Sequence, residues 1–180
     1  RDEAELAYLE SVLVSLEETN SLPDLEEIKI ELEKEGYIKK KAALRRKDDK
    51  APPESEPHVF VIGSHRVLVG RNNRQNDRLT LRQAQDDDIW LHTKNIPGSH
   101  VVIRCPDGQL PPDNVLLAAA NLAAHFSRAR GSSNVPVDYT RRRHVRKPSG
   151  ARPGFVIYDH QRTIYVTPDT EMVKALKAGL

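Results

Sequence analysis

Leu6, Leu9, Leu13 and Leu16 recur at steps of three and four, the spacing that lays one apolar stripe along a helix. Asn20, Ser21 and Pro23 interrupt it. Leu25, Ile28 and Leu32 resume it on a second helix from about Asp24, with Gly36 as its stop. The expectation is a helical hairpin or the base of a coiled coil, with an acidic, solvated outer face. From residue 58 the pattern changes to short alternating runs. His58–Ile62 and Arg66–Val69 flank Gly63-Ser64, a hairpin signal. Asn76 or Asp77 is the expected cap of a short helix running to about Gln85. Ile89–His92 and His100–Ile103 read as strands around a loop holding Pro97-Gly98.

Pro111-Pro112-Asp113 opens the strongest helix, expected over Val115–Arg130, with Ala119, Ala120, Ala123 and Phe126 available for burial and Gly131 ending it. Val135, Val137 and Tyr139 alternate as a strand. Phe155–Tyr158 and Thr163–Val166 read as a terminal hairpin, and a short helix near Glu171–Lys177 closes the chain. Together these elements predict an α+β fold. Its sheet is largely antiparallel or mixed, built from hairpins with one long packed helix, and preceded by a helical coiled-coil base. Between the two lies a stretch of another material, with Lys39-Lys40-Lys41, Arg45-Arg46-Lys47, Pro52-Pro53 and Pro57. That composition reads as a linker. The expected division is an acidic helical segment 1–38, a basic linker 39–57 and a compact domain 58–180.

Charge sharpens this division. The formal net charge of the 180 residues is +2. Residues 1–35 hold twelve acids against three bases, and the remainder fourteen acids against twenty-five bases. A single cysteine, Cys105, excludes a disulfide framework and a cysteine-rich zinc site, and fits a reducing compartment. No apolar run approaches the roughly 18 residues of a membrane span, so no membrane partner is expected. The chain starts at Arg1 without a signal pattern and its one methionine is Met172, which reads as a piece from the C-terminal side of a longer, cytoplasmic protein.

Asp88, Trp90 and His92 sit at alternate positions, which in a strand share one face; His100 begins the next strand. A tryptophan beside an imidazole suits stacking on a base, or packing under a loop. The same Asp88, His92 and His100 could serve a metal-dependent hydrolase, but no spaced ligand set or nucleophile elbow accompanies them, so neither metal nor cofactor is expected. The arginines say more. Arg71, Arg74, Arg78 and Arg82 step by three and four, so the later ones can share a helix side, and Arg141, Arg142, Arg143, Arg146 and Lys147 crowd seven positions. If the strand continues through them, Arg141 and Arg143 face opposite to Arg142 and Arg146. With the linker, these clusters point to a polyanion bound through phosphates, and to RNA rather than duplex DNA, since no major-groove helix stands out.

The runs Gly70-Arg71-Asn72-Asn73-Arg74-Gln75-Asn76-Asp77, Asp88-Ile89-Trp90-Leu91-His92-Thr93-Lys94 and Ile96-Pro97-Gly98-Ser99-His100-Val101-Val102-Ile103, with Val135–Thr140 and Pro153-Gly154-Phe155-Val156, closely resemble the NFACT-R domain of the RqcH/NEMF family. The resemblance covers about 58–170. It implies a non-catalytic module of a ribosome-associated quality control factor. Its implied partners are the large ribosomal subunit and tRNA, with alanyl-tRNA recruited for C-terminal alanine tailing of stalled chains. Peptidyl transfer in that scheme belongs to the ribosome. An older label of the family, fibronectin-binding protein A, implies an adhesin instead. The residues expected to touch RNA are Arg71, Asn72, Asn73, Arg74, Arg78, Arg82, Trp90, His92, Lys94, His100, Arg141, Arg142, Arg143, Arg146 and Lys147.

Overall fold

The computed structural model describes residues 2–39 and 54–179. Lys40-Lys41, Arg45-Arg46-Lys47 and Pro52-Pro53 of the expected linker lie outside the described residues. The chain forms helices α1 (Asp2–Glu18) and α2 (Leu22–Lys34), then strands β1 (His58–Ile62) and β2 (His65–Val69). Helix α3 (Asn73–Arg78) runs directly into a π-helical turn, Leu79–Gln83. Strands β3 (Ile89–Thr93) and β4 (Val101–Ile103) precede the long helix α4 (Asp113–His125). Strand β5 (Val135–Arg141), a 3-10 turn (Arg142–His144), β6 (Val145–Arg146), β7 (Ile157–Tyr158), β8 (Arg162–Val166) and α5 (Thr170–Ala178) complete it. Six strands make one sheet in the order β1-β2-β4-β3-β5-β8, and every pairing is antiparallel. The fold is α+β.

Strand alternation divides the sheet into two faces. Ile89, Leu91, Val101 and Ile103 pack beneath α4 with its small residues Ala119, Ala120 and Ala123. Trp90 and Val102 point the other way and meet Leu79 and Val145 in a separate cluster. Each buried large side chain contributes about 1.5–3 kcal/mol, so this second, smaller cluster is enough to hold the α3 side on the sheet.

Four expectations give way to tertiary contacts. The leucine stripe of α1 is not its buried face: Leu6 and Leu13 are exposed, and Tyr8, Val12 and Ile28 form the small core of the helix pair. The cap of α3 is Asn72, whose side chain accepts the Gln75 N–H at 2.9 Å, whereas Asn76 is buried and accepts the backbone N–H of His100 at 3.1 Å. Helix α4 stops at His125 because the Pro97–Ser99 loop captures the next backbone groups. Ser99 N–H donates to Phe126 O at 3.0 Å and Arg128 N–H to Pro97 O at 2.9 Å. The terminal hairpin does not form: β8 pairs with β5, and β7 pairs with β6. The 3-10 turn lifts the chain off the sheet after Arg141, which frees the edge of β5 for β8 and gives β7 a different partner.

Candidate nucleic-acid interface and an adjoining cleft

The expected interface divides into parts with different fates. The first lies at α3. Helix α2 presents three buried acids, Asp24, Glu27 and Glu31, where a helix of its composition would normally present apolar residues. Arg78 Nη2 stands 2.7 Å from Glu27 Oε1, and Arg71 Nη1 is 3.4 Å from Asp24. Amides complete the pairing: Asn72 donates to Glu27 at 3.1 Å, Asn73 to Glu31 at 3.2 Å and Gln75 to Asp24 at 3.1 Å. Ser55, at the start of the second described stretch, donates its hydroxyl to Glu27 at 2.6 Å. Burial disfavours the Glu27 carboxylate, but the bonds from Ser55, Asn72 and Arg78 outweigh it and hold its pKa below the ordinary value. Glu31 goes the other way: burial raises its pKa, aided by Asp77 and Glu35, despite bonds from Tyr8 and Asn73. Arg71, Asn72, Asn73 and Arg78 are therefore occupied within the chain. Arg74 is half-buried, and the π-helical turn sets Arg82 apart as an exposed side chain.

The second part is the aromatic group. Trp90 is fully buried and stacks parallel to His92, with ring centroids 5.8 Å apart. It meets His100 edge-on at 5.3 Å and Tyr158 at 4.7 Å. Its indole N–H donates to His100 Nδ1 at 3.3 Å, and the Thr80 hydroxyl lies 2.7 Å from the same nitrogen. That nitrogen accepts, so Nε2 carries the proton and donates to Gly154 O at 2.9 Å. Burial above all, then the proximity of His92, lowers the His100 pKa well below the usual histidine value, and the ring stays neutral. The structure thus assigns Trp90 and His100 to packing and cross-linking. Gly70 belongs to the same framework: a Cβ there would lie 2.0 Å from Asn76 Oδ1. The motif around residues 70–77 serves first to fasten α3 to β4 and to the loop at Gly154.

The third part is the basic run after β5. The 3-10 turn breaks the expected alternation of faces. Arg141 donates to the carbonyls of Asp87 and Gly108, and Arg142 to those of Thr80 and Val145. Lys147 is held by Asp77 at 3.3 Å and by the carbonyls of Arg152 and Phe155. Arg143 and Arg146 remain exposed: Arg143 donates to Asp87 at 2.6 Å, and Arg146 stands 3.7 Å from Asp159. With Lys94 and Arg82, they are the expected cations that keep outward-facing heads.

A feature absent from the sequence reading adjoins the first two parts. A cleft of about 710 Å³ opens between α1, the loop 148–156 and the end of β3. Its inner wall is His92 and Tyr158 with Trp90 and His100 behind them, and Phe155 stands at the rim, 56% exposed. Arg152 lines it and lies over the Tyr8 ring at 5.0 Å. The only sequence signal for it was the cluster of Pro148, Gly150, Pro153 and Gly154. Gly154 takes φ +81, and its carbonyl is the one that receives His100.

The hydrolase constellation is not assembled. Asp88 accepts from Cys105 N–H and Gln85 N–H and pairs with Arg104, in a pocket with Asp86 and Asp87. His92 and His100 line the other cleft. Among the described residues, a different trio has donor atoms within 4.8 Å of one another: His144, Asp159 and His160. Arg146 shares the Asp159 carboxylate.

Comparison with known proteins adds a second line of observation. Residues 58–158 match the family model described as the NFACT protein RNA binding domain, and residues 1–51 that of the NFACT N-terminal and middle domains. The chain is 47% identical over 179 residues to the Rqc2 homolog RqcH of Bacillus subtilis (strain 168), and 42% identical over 174 residues to that of Streptococcus suis (strain 05ZYH33). Each alignment covers 96% of this chain and 30% of the relative, so the chain spans less than a third of their length. A ribosome quality control complex subunit NEMF homolog of Drosophila melanogaster is 31% identical over 86 residues, 47% of this chain and 9% of that protein. Among solved structures, the C-terminal part of the fibronectin/fibrinogen-binding protein from Streptococcus suis superposes with a TM-score of 0.84 at 41% identity. That match covers 97% of this chain and 68% of the other.

Proposed function

Since this chain belongs to the NFACT family, the RqcH/NEMF group, and carries its RNA-binding domain, we propose that it is a non-catalytic RNA-contacting module of a ribosome-associated quality control factor. The observation that carries the reading is the RNA-binding match over 58–158, on a domain that leaves Arg82, Lys94, Arg143 and Arg146 facing outward. These heads contact phosphates of tRNA or of the large ribosomal subunit. In the whole factor, the module assists recruitment of alanyl-tRNA for C-terminal alanine tailing, while bond formation belongs to the ribosome. The division into a helical segment 1–38, a linker 39–57 and a domain 58–180 is part of this proposal. The start of the RNA-binding match at residue 58 supports its last boundary, while the other match runs on to residue 51. A cytoplasmic location accords with this role. No helix of the described residues is long and apolar enough to cross a membrane.

The test measures binding of tRNA and of large subunits to this chain as salt is raised. Changing Arg82, Arg143 and Arg146 together to Ala should weaken binding and reduce the salt slope by about 2, near 0.7 per lost phosphate contact on single strands. Binding that ignores both salt and the triple change would refute the reading. A fibronectin-binding reading draws on the name of the Streptococcus suis structure. Saturable binding to fibronectin with none to RNA would put it first.

A further inference from the structure

We propose that the cleft between α1, the loop 148–156 and the end of β3 receives one unstacked nucleobase of single-stranded RNA, a reading that rests on the RNA-contacting role above. The cleft's size suits a nucleotide, since ligand sites commonly run about 300–1,000 Å³. Its chemistry suits a flat, neutral ring. His92 and Tyr158 keep partly exposed surface in it, and Phe155 stands exposed at the rim. Around them lie small or apolar groups: Ala4, Ala7, Pro97 and Pro148. Sequence-specific RNA recognition works in this manner, by drawing an unpaired base onto aromatic faces.

Charge separates a nucleotide from an apolar peptide as occupant. No acidic side chain lines the cleft, and Arg152 does. Its guanidinium also reaches Glu35 at 3.9 Å and donates to the Tyr37 hydroxyl at 3.2 Å, so a phosphate beside the bound base would share it with these partners. Lys94 is exposed next to Asn95, which also lines the cleft. Asn95 and Ser149 supply side-chain donors and acceptors for a base edge. The second pocket of the molecule is the control: Asp86, Asp87 and Asp88 line it, a surface hostile to phosphate.

The walls are also built to stay open. His92 is held at its rear by Trp90, and its Nδ1 donates to Thr93 O at 2.6 Å. Burial lowers its pKa, so the ring remains neutral and available for stacking. The loop opposite is fixed by His100 on Gly154 O and by the Lys147 ammonium on two carbonyls. A base arriving there finds a preformed slot.

Trp90 is the chain's one tryptophan, so its emission reports on the cleft. The experiment titrates the whole chain with a short single-stranded RNA, with the same RNA carrying one abasic site at each position in turn, and with an apolar peptide. The expected result is a change in Trp90 emission with the intact RNA, and a loss of affinity of about tenfold for one abasic position, as for losing one stacked base. Phe155→Ala, at an exposed position, should weaken the intact RNA by a similar factor while leaving the affinity of that abasic RNA unchanged. Equal binding of intact and abasic RNA at every position, with Phe155→Ala like the parent, overturns the base site and leaves the phosphate-contact reading standing. An emission change with the peptide and none with RNA overturns it in favour of a protein ligand. Failure of every RNA to bind overturns both readings.

Discussion

Arg78 and Arg143 look alike in the sequence, each within an arginine-rich run, yet they occupy opposite environments. Arg78 is almost buried against a buried carboxylate and a backbone carbonyl. Arg143 stands in solvent beside a half-exposed Asp87. The difference originates in what faces each residue. A whole acidic helix covers α3, whereas only loop carbonyls and scattered acids face the segment after β5. Surface pairs of the second sort contribute roughly 0–1 kcal/mol, while a buried charge stripped of its partner costs several. Basic clusters therefore sit in two settings here, one joining the helix pair to the sheet domain and the other left facing solvent.

The sharpest way to break this contrast is Arg78→Ala. It leaves Glu27 buried without its cation, and should cost about 3–5 kcal/mol in urea denaturation. A second change, Glu27→Gln, should restore part of the loss; a cost below about 1 kcal/mol would place Arg78 with the surface arginines. Gly154→Ala strikes the junction from the cleft side. Its Cβ would lie 2.3 Å from Asn73 Oδ1 at φ +81, and the expected cost is about 1–3 kcal/mol with altered Trp90 emission.

Acid should act next, and its sign follows from the histidines. Burial, with Arg130 and Lys177 adding to it, pushes the His125 pKa down to about 4, and burial also lowers His92 and His100. A base with a depressed folded pKa gives its full stabilisation above its unfolded value, about 6.5, and loses it as pH falls toward the folded value. Glu27, also depressed, subtracts further as pH falls below its unfolded value near 4.5. Glu31 and Asp77 are raised, so their contribution is lost as pH rises and they partly offset the trend. Thermal midpoints should fall steadily from pH 6.5 to 4, and His125→Gln should flatten the profile. Smallest of all, the Arg82, Arg143 and Arg146 triple change should leave stability within about 0.5 kcal/mol, so that any loss of RNA binding reports contacts rather than unfolding.

Local pattern carried the strands well. Alternation placed Ile89 and Leu91 opposite Trp90, and the apolar run after Pro112 marked the packed helix. Pattern failed where long-range polar contacts override it. The helix pair docks through Asp24, Glu27 and Glu31, which any periodicity argument assigns to solvent, while Leu6, Leu13, Leu16, Leu22 and Leu25 are left exposed and only Leu9 and Leu32 pack against its small core. The candidate site was legible as residue types, and packing was one of the two readings open for Trp90. Asn72, Trp90 and His100 stood out in the sequence, and their work is to cap, pack and cross-link. The cleft could not be read beforehand, because its walls come from segments about 90 and 150 positions apart in the chain.

Ser55 bonds to Glu27, so the chain that leaves α2 returns to α2 before the sheet domain begins. The helix pair and its seat on α3 are thus ligand and receptor on one polypeptide. Covalent attachment of this kind gives an effective concentration on the order of millimolar. A contact too weak to hold two separate proteins together at cellular levels would be almost fully made here. Cutting the chain between residues 39 and 54 would turn that contact into an ordinary equilibrium, one that dilution dissociates.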